Sequence, residues 1–204
     1  MALDSFSSLK SSIADWLQGR TDILTTVDDF IDLAEAEFNR VMRVREMEAT
    51  STLTLNGDGE ATLPTDYLAW RTVTALTDPR REVEYSTPSY IEDTYPDRPS
   101  GYPEVFTIRG STILVAPITT SSIRFDYYQK IPALSDANTS NWLLAKMPGL
   151  YLHMSLKHAA IYLDEDALAQ RYASLANSDL TALTSDDWSS RFNRASMRVP
   201  GPTP

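Results

Sequence analysis

The sequence of 204 residues contains no cysteine. This absence excludes a disulfide framework, a thiolate metal site, an iron–sulfur cluster and a cysteine nucleophile, and it suits a protein made in a reducing cytoplasm. A chain of this length can bury roughly 70% of the surface that its unfolded form exposes. We therefore predict a globular protein that needs neither disulfide nor metal to fold.

Long apolar runs are also missing. No segment approaches the ~20 apolar residues that a membrane-spanning helix requires. The first residues, Met1–Phe6, lack the basic and apolar regions of a signal peptide. We expect no membrane association and no export through a cleaved signal.

The side chains that enzymes and metal sites need are scarce or unsuitably spaced. The two histidines, His153 and His158, are five residues apart, which points them about 140° away from each other on a helix. The seven glycines form no Gly-rich phosphate loop, and no serine lies in a G-x-S-x-G elbow. The acidic run Asp164–Asp166 falls at a predicted helix start, where the helix dipole stabilises acids. We predict no catalytic residue, no cofactor and no metal ligand, and hence no enzyme.

The net charge is −10, and it is unevenly distributed. No acid follows Asp187, so the last 17 residues carry +3 and residues 1–187 carry −13. An acidic excess argues against a phosphate-binding surface, because affinity for nucleic acid depends on Lys and Arg. Three prolines lie among the last seven residues, a density that no regular helix tolerates. We predict a flexible, basic, proline-rich tail over residues 188–204.

Apolar residues recur three or four apart near both ends of the chain and alternate in its middle. The first pattern predicts helices within residues 3–46 and 141–187, and the second predicts strands within residues 50–130. Because the helices and strands come in separate runs, we predict an α+β fold. It has an N-terminal helix pair, a central antiparallel β region of six or seven strands, C-terminal helices and an irregular tail. We expect a single domain over residues 1–187.

The second predicted helix carries a one-sided apolar stripe, with acids early and arginines late, as the helix dipole favours. Such a stripe packs either in the chain's own core or against another subunit, and the sequence leaves both open. The candidates for inter-subunit contacts on this helix are Phe30, Phe38, Met42 and Arg45.

One turn signal is strong. The run Asn56–Gly59 (Asn-Gly-Asp-Gly) separates two alternating segments, Thr52–Leu55 and Glu60–Leu63. Asn and Gly tolerate the positive φ angles of tight hairpin turns. We therefore predict a β-hairpin made of these two segments.

Six tyrosines cluster in and around the predicted strands: Tyr85, Tyr90, Tyr95, Tyr102, Tyr127 and Tyr128. They could line a carbohydrate or peptide groove, because tyrosine offers a flat apolar face and a polar tip. They could also be anchors of a protein interface, where tyrosine is enriched, or ordinary core and rim residues. The first possibility gives an alternative function, a carbohydrate- or peptide-binding module.

The order of several short stretches resembles the bacteriophage adaptor proteins of the head–tail connector. The resemblance covers roughly residues 5–190. The stretches that carry it are Phe30–Arg40, Arg43–Glu48, Thr52–Leu55, Ala61–Leu68, Ile131–Asp136, Thr139–Leu144 and Pro148–Leu152.

This resemblance implies a virion protein, made in the host cytoplasm, that works through protein–protein contacts. It implies a subunit of a ring, twelvefold in such connectors, that lies between the portal protein and a tail or nozzle protein and lets DNA pass without specific binding. It also implies that the C-terminal arm docks on the portal. The candidate portal-docking residues are Arg191, Phe192, Arg194 and Arg198.

Overall fold

The computed structural model describes residues 3–17, 23, 25–119 and 121–192, without the side chains of Arg191 and Phe192. These residues contain six α-helices and seven strands. The helices are α1 (Phe6–Trp16), α2 (Val27–Val41), α3 (Pro88–Thr94), α4 (Trp142–Lys146), α5 (Pro148–Tyr162) and α6 (Asp166–Phe192). The strands are β1 (Glu48–Leu53), β2 (Glu60–Thr62), β3 (Tyr67–Ala75), β4 (Arg81–Tyr85), β5 (Val105–Arg109), β6 (Thr112–Ala116) and β7 (Ile123–Gln129). The predicted α+β class is confirmed.

The chain divides into two compact units where the sequence predicts one domain. The helical unit is formed by Met1–Glu46 together with Ile131–Pro204, and the β unit is formed by Met47–Lys130. The β unit is therefore inserted between the two segments of the helical unit.

In the helical unit, α5 is the central helix and contacts α1, α2, α4 and α6. It buries eight residues, including Leu150, Leu156 and Ala160, and a helix that is apolar on most sides can be stable only when surrounded. The shorter helices begin at side-chain caps. The Ser5 hydroxyl accepts a hydrogen bond from the backbone N–H of Ser8 at α1, and Asn141 caps α4 in the same way.

The last helix, α6, extends to Phe192. It thus includes the first five residues of the segment 188–204 that the sequence predicts as a flexible tail. Residues 193–204, and with them the rest of that prediction, lie outside the described residues.

The β unit is a single seven-stranded sheet in the order β1-β7-β3-β4-β5-β6-β2. Neighbouring strands are antiparallel as predicted, apart from β4 and β5, which are parallel. A parallel pair needs a crossover of a dozen or more residues. Residues 86–104, which contain α3 and a proline-rich loop, provide it.

The predicted hairpin of Thr52–Leu55 with Glu60–Leu63 is wrong. The turn itself forms, since the N–H of Asn56 donates to the carbonyl of Glu60 at 2.8 Å. However, β1 pairs with β7 and β2 pairs with β6, at opposite edges of the sheet. Local turn chemistry does not determine which strands pair, because pairing depends on the hydrophobic face of the whole sheet.

This strand order requires the sheet to curl. A flat sheet of seven strands would be about 29 Å wide at ~4.8 Å per strand. The chain from Leu53 to Glu60 can span at most about 25 Å. The sheet curls around an apolar core made of Leu53, Leu55, Leu63, Val73, Ala75, Val83, Phe106, Ile113, Val115, Ile123, Phe125 and Tyr127.

Candidate interaction surfaces

A closed network of buried polar groups holds the segment that re-enters the helical unit. The Glu35 carboxylate on α2, 5% exposed, accepts hydrogen bonds from the Leu134 N–H at 2.9 Å and the Tyr151 hydroxyl at 3.0 Å. The Asn141 side-chain amide donates to the Tyr151 hydroxyl at 2.7 Å and to the Pro132 carbonyl at 2.8 Å. These bonds fix residues 131–141 against α2 and α5.

The pKa shifts of Glu35 and Tyr151 are consistent with a structural role for this network. Burial raises the pKa of Glu35, although the hydrogen bonds from Leu134 and Tyr151 oppose this shift. Burial also raises the pKa of Tyr151, and the nearby charge of Glu35 adds to the effect. The phenol therefore stays protonated and can donate. These hydrogen bonds all join groups of the chain itself, which is typical of a structural network.

A second cluster lies at the surface between α2 and α5. The Lys157 ammonium contacts the two Glu37 carboxylate oxygens at 2.9 and 2.6 Å, and Nε2 of His158 lies 3.2 Å from the same carboxylate. Burial opposes the charge of Glu37, but Lys157 and His158 outweigh it and lower the pKa of Glu37. Burial, reinforced by the Lys157 charge, lowers the pKa of His158, so this histidine is neutral at pH 7. Beside the cluster is a small groove of about 70 Å³ whose lining includes Val41 and Leu180.

In the β unit, two large aromatic side chains are exposed side by side. Trp70 on β3 is 40% exposed and Tyr85 on β4 is 47% exposed. Their rings stack with centroids 5.5 Å apart and planes 13° apart. Both meet the buried Phe106 ring nearly at right angles, with centroids 5.4 and 5.6 Å away. This aromatic platform, Trp70 with Tyr85, is held rigidly on the sheet and is suited to contact with another molecule.

The sequence matches the SU10 adaptor protein family over residues 4–200. The chain belongs to this family. It is a family of phage head–tail adaptors, so the resemblance drawn from the short stretches is confirmed. No curated protein matches the sequence. Membership of a structural phage family indicates a non-enzymatic component of the virion.

Three of the four predicted inter-subunit contact residues belong to the adaptor's own core. Phe30, Phe38 and Met42 are 4%, 1% and 0% exposed, and Phe38 packs edge-on against the Tyr151 ring at 5.1 Å. Arg45 lies in a 3₁₀ turn and is exposed. The apolar residues that α2 does expose are Leu33 and Val41, at 51% and 52%.

The candidate tail residues of the adaptor are only partly described. Arg191 and Phe192 belong to α6, and Arg194 and Arg198 lie outside the described residues. Their role in docking on a portal stays a prediction.

The six tyrosines of the adaptor have separate environments. Tyr127 is buried in the β core, where its hydroxyl donates to Asp66 at 3.0 Å. Burial and this bond raise the pKa of Tyr127 to about 12. Tyr95 donates to Glu104 at 2.9 Å, while Tyr90 and Tyr102 are exposed. Trp70, which the sequence interpretation missed, is 40% exposed and stacks on Tyr85. The signal that could have identified Trp70 was a tryptophan in the predicted strand that precedes the strand of Tyr85.

Two further features of the described part of the adaptor concern membranes and metal ions. No helix there combines the length and the apolar character that crossing a membrane requires. No three His, Asp or Glu side chains there are grouped so that they could hold a metal ion.

The Glu37 cluster makes the stability of the adaptor depend on pH in a testable way. Because the pKa of Glu37 is lowered on folding, its contribution is present above the unfolded pKa of about 4.3 and is lost as the pH falls through the folded value. We expect Glu37→Gln to reduce the free energy of unfolding by about 1 kcal/mol at pH 7, and by less at pH 3. Urea unfolding of both proteins at the two pH values measures this. An equal loss at pH 3 would show that the effect is not electrostatic.

Proposed function

We propose that this protein forms a closed ring, twelvefold as in phage connectors, that joins the portal to the tail and lets DNA pass through its centre. The observation that carries the proposal is the family match over residues 4–200, which leaves almost no part of the chain for another activity. The exposed aromatic side chains on both units support it, because aromatic residues are enriched at protein interfaces.

The helical unit is assigned to the neighbouring subunits and the portal. It exposes several large apolar side chains that a contact with another subunit would bury. They are Trp16 at 50%, Val41 at 52% and Trp188 at 66%. The exposed Arg45 is assigned to the contact with a neighbouring subunit. The C-terminal residues assigned to the portal are Arg191, Phe192, Arg194 and Arg198.

The β unit is assigned to the tail or nozzle protein. Its aromatic platform of Trp70 and Tyr85 offers two rigid rings at low cost in conformational entropy. Rings of this kind are enriched among the residues that dominate interface energies. The carboxylates of Glu82 and Glu84 on β4 are also exposed, but alternation along the strand points them to the face opposite Tyr85, so they are not part of the platform.

Passage of DNA requires a channel that does not bind it. The charge of −13 on residues 1–187 supports an acidic lumen, since carboxylates repel phosphates and release no counterions to them. A ring whose channel is lined mainly by Lys and Arg would contradict this part of the proposal.

The test is assembly on the portal. We expect the purified full chain, mixed with the portal protein of its phage, to form a closed ring of identical subunits on one end of the portal. Electron microscopy of the mixture shows the ring, and mass photometry gives its subunit number. A protein that remains unbound to portals across a range of concentration and salt would overturn the proposal.

A further inference from the structure

The outward face of α2 carries a short stripe of four exposed residues. Asp29, Leu33, Ala36 and Arg40 are all exposed, and at 100° per residue they fall within an arc of about 60° on the helix. The opposite face of the helix is core, where Ile31 and Ala34 are 0% exposed. The stripe therefore lies along the centre of the face that α2 turns away from its own unit.

The two ends of the stripe have opposite charge, and its middle is apolar. Acids near the N-terminus and arginine near the C-terminus suit the helix dipole, so the charges alone need no partner. The helix dipole does not explain why the residues in the middle of the stripe are apolar. A solvated helix face is normally polar, yet Leu33 is 51% exposed here and Ala36 is the other residue between the charges.

This stripe is complementary to a reversed copy of itself. If two α2 helices lie antiparallel about a two-fold axis midway between residues 34 and 35, Asp29 of each copy faces Arg40 of the other. The same axis places Leu33 of each copy opposite Ala36 of the other, a large residue against a small one, as close helix packing prefers. The charged pairs and the apolar pairs are satisfied in one register.

Neighbouring apolar side chains enlarge the surface. Tyr162, at the end of α5, is 62% exposed and packs against Phe30 of α2 with ring centroids 5.5 Å apart. Phe30 and Leu33 are three residues apart, so they lie on adjacent turns of the helix. Ile161, 58% exposed, precedes Tyr162 in the last turn of α5.

We propose that two copies of this protein pair through α2, antiparallel, with Asp29 against Arg40 at both ends and Leu33 against Ala36 in the middle. The occupant of the exposed stripe is thus a second copy of the chain. A two-fold contact uses the same surface on both subunits and cannot by itself close a ring. It is a separate contact from those of the proposed ring, and it stands or falls independently of them.

Charge reversal tests the pairing with full-length chains. Arg40→Glu and Asp29→Lys each place like charges at both ends of the homodimer, so we expect at least a tenfold rise in the dimer dissociation constant by analytical ultracentrifugation at low salt. An equimolar mixture of the two variants restores opposite charges at both ends, and we expect heterodimers of wild-type affinity. The double variant should also dimerise as the wild type does.

Matched controls separate this effect from net charge and from folding. Arg80→Glu and Glu84→Lys make the same two charge changes at exposed positions of the β unit, and they should leave dimerisation unchanged. The variants should unfold as single folded proteins at temperatures only slightly below that of the wild type, because the substituted side chains are exposed and only their favourable interaction with the helix dipole is lost. Leu33→Asp should abolish the dimer without unfolding the chain.

Two results would overturn the proposal. One is a wild-type protein that stays monomeric up to high micromolar concentration. The other is a dimer that Arg40→Glu, Asp29→Lys and Leu33→Asp leave intact, which would show that another face pairs. Ring formation on the portal is scored separately. If rings form on the portal but the free protein does not dimerise, only the α2 pairing is contradicted. If the protein dimerises but forms no ring on the portal, only the proposed function is contradicted.

Discussion

Replacing Glu35 with alanine will lower the free energy of unfolding of the helical unit by about 2–4 kcal/mol. The substitution leaves the Leu134 N–H and the Tyr151 hydroxyl without their acceptor. Each buried group left unpaired costs about 1–3 kcal/mol. Removal of a poorly solvated carboxylate recovers part of this loss, because burial already disfavours its charge.

Glu35→Gln is the matched control. Its amide oxygen can still accept both hydrogen bonds, so we expect a loss of about 1 kcal/mol or less at pH 7. Urea unfolding followed by circular dichroism at 222 nm measures both variants. Equal losses for alanine and glutamine would contradict the assignment of the Leu134 and Tyr151 bonds as the source of the effect.

Replacing Phe106 with alanine will lower the free energy of unfolding of the β unit by about 3–5 kcal/mol. The Phe106 side chain is 1% exposed, and truncating a buried phenylalanine costs this much in lost transfer energy and cavity formation. It also removes the ring against which Trp70 and Tyr85 stand. We therefore expect the near-ultraviolet circular dichroism of the native protein to weaken.

Tyr85→Ala is the comparison for Phe106→Ala. Its ring is 47% exposed, so its truncation should cost less than about 1 kcal/mol while removing one ring of the platform. Equal destabilisation of the two variants would contradict the assignment of the buried Phe106 ring as the support of the exposed Trp70 and Tyr85 rings.

Local pattern predicted the elements well. The helix α2 was expected from its stripe and its charge gradient, which are both set by neighbours within a few turns. The separation of helical and strand segments along the chain was enough for the α+β class. These features depend on residues close in sequence, and for that reason they could be inferred without coordinates.

Long-range pairing was not predictable in the same way. Glu35 and Glu37 are two residues apart on α2, yet one is buried against Leu134 and the other pairs with Lys157 at the surface. Each partner lies about 100 residues or more along the chain. The hairpin prediction failed for the same reason, since the strand that pairs with β1 begins only at Ile123.

The inserted position of the β unit has a consequence for synthesis on the ribosome. Met47–Lys130 is contiguous, so this unit can fold as soon as its last strand emerges, in line with domains folding as units from the N-terminus. The first two helices must wait, because α5, around which they pack, begins only at Pro148. Until that point the nascent chain displays the apolar sides of α1 and α2 to solvent, and a pause in translation between residues 131 and 148 would prolong their risk of aggregation.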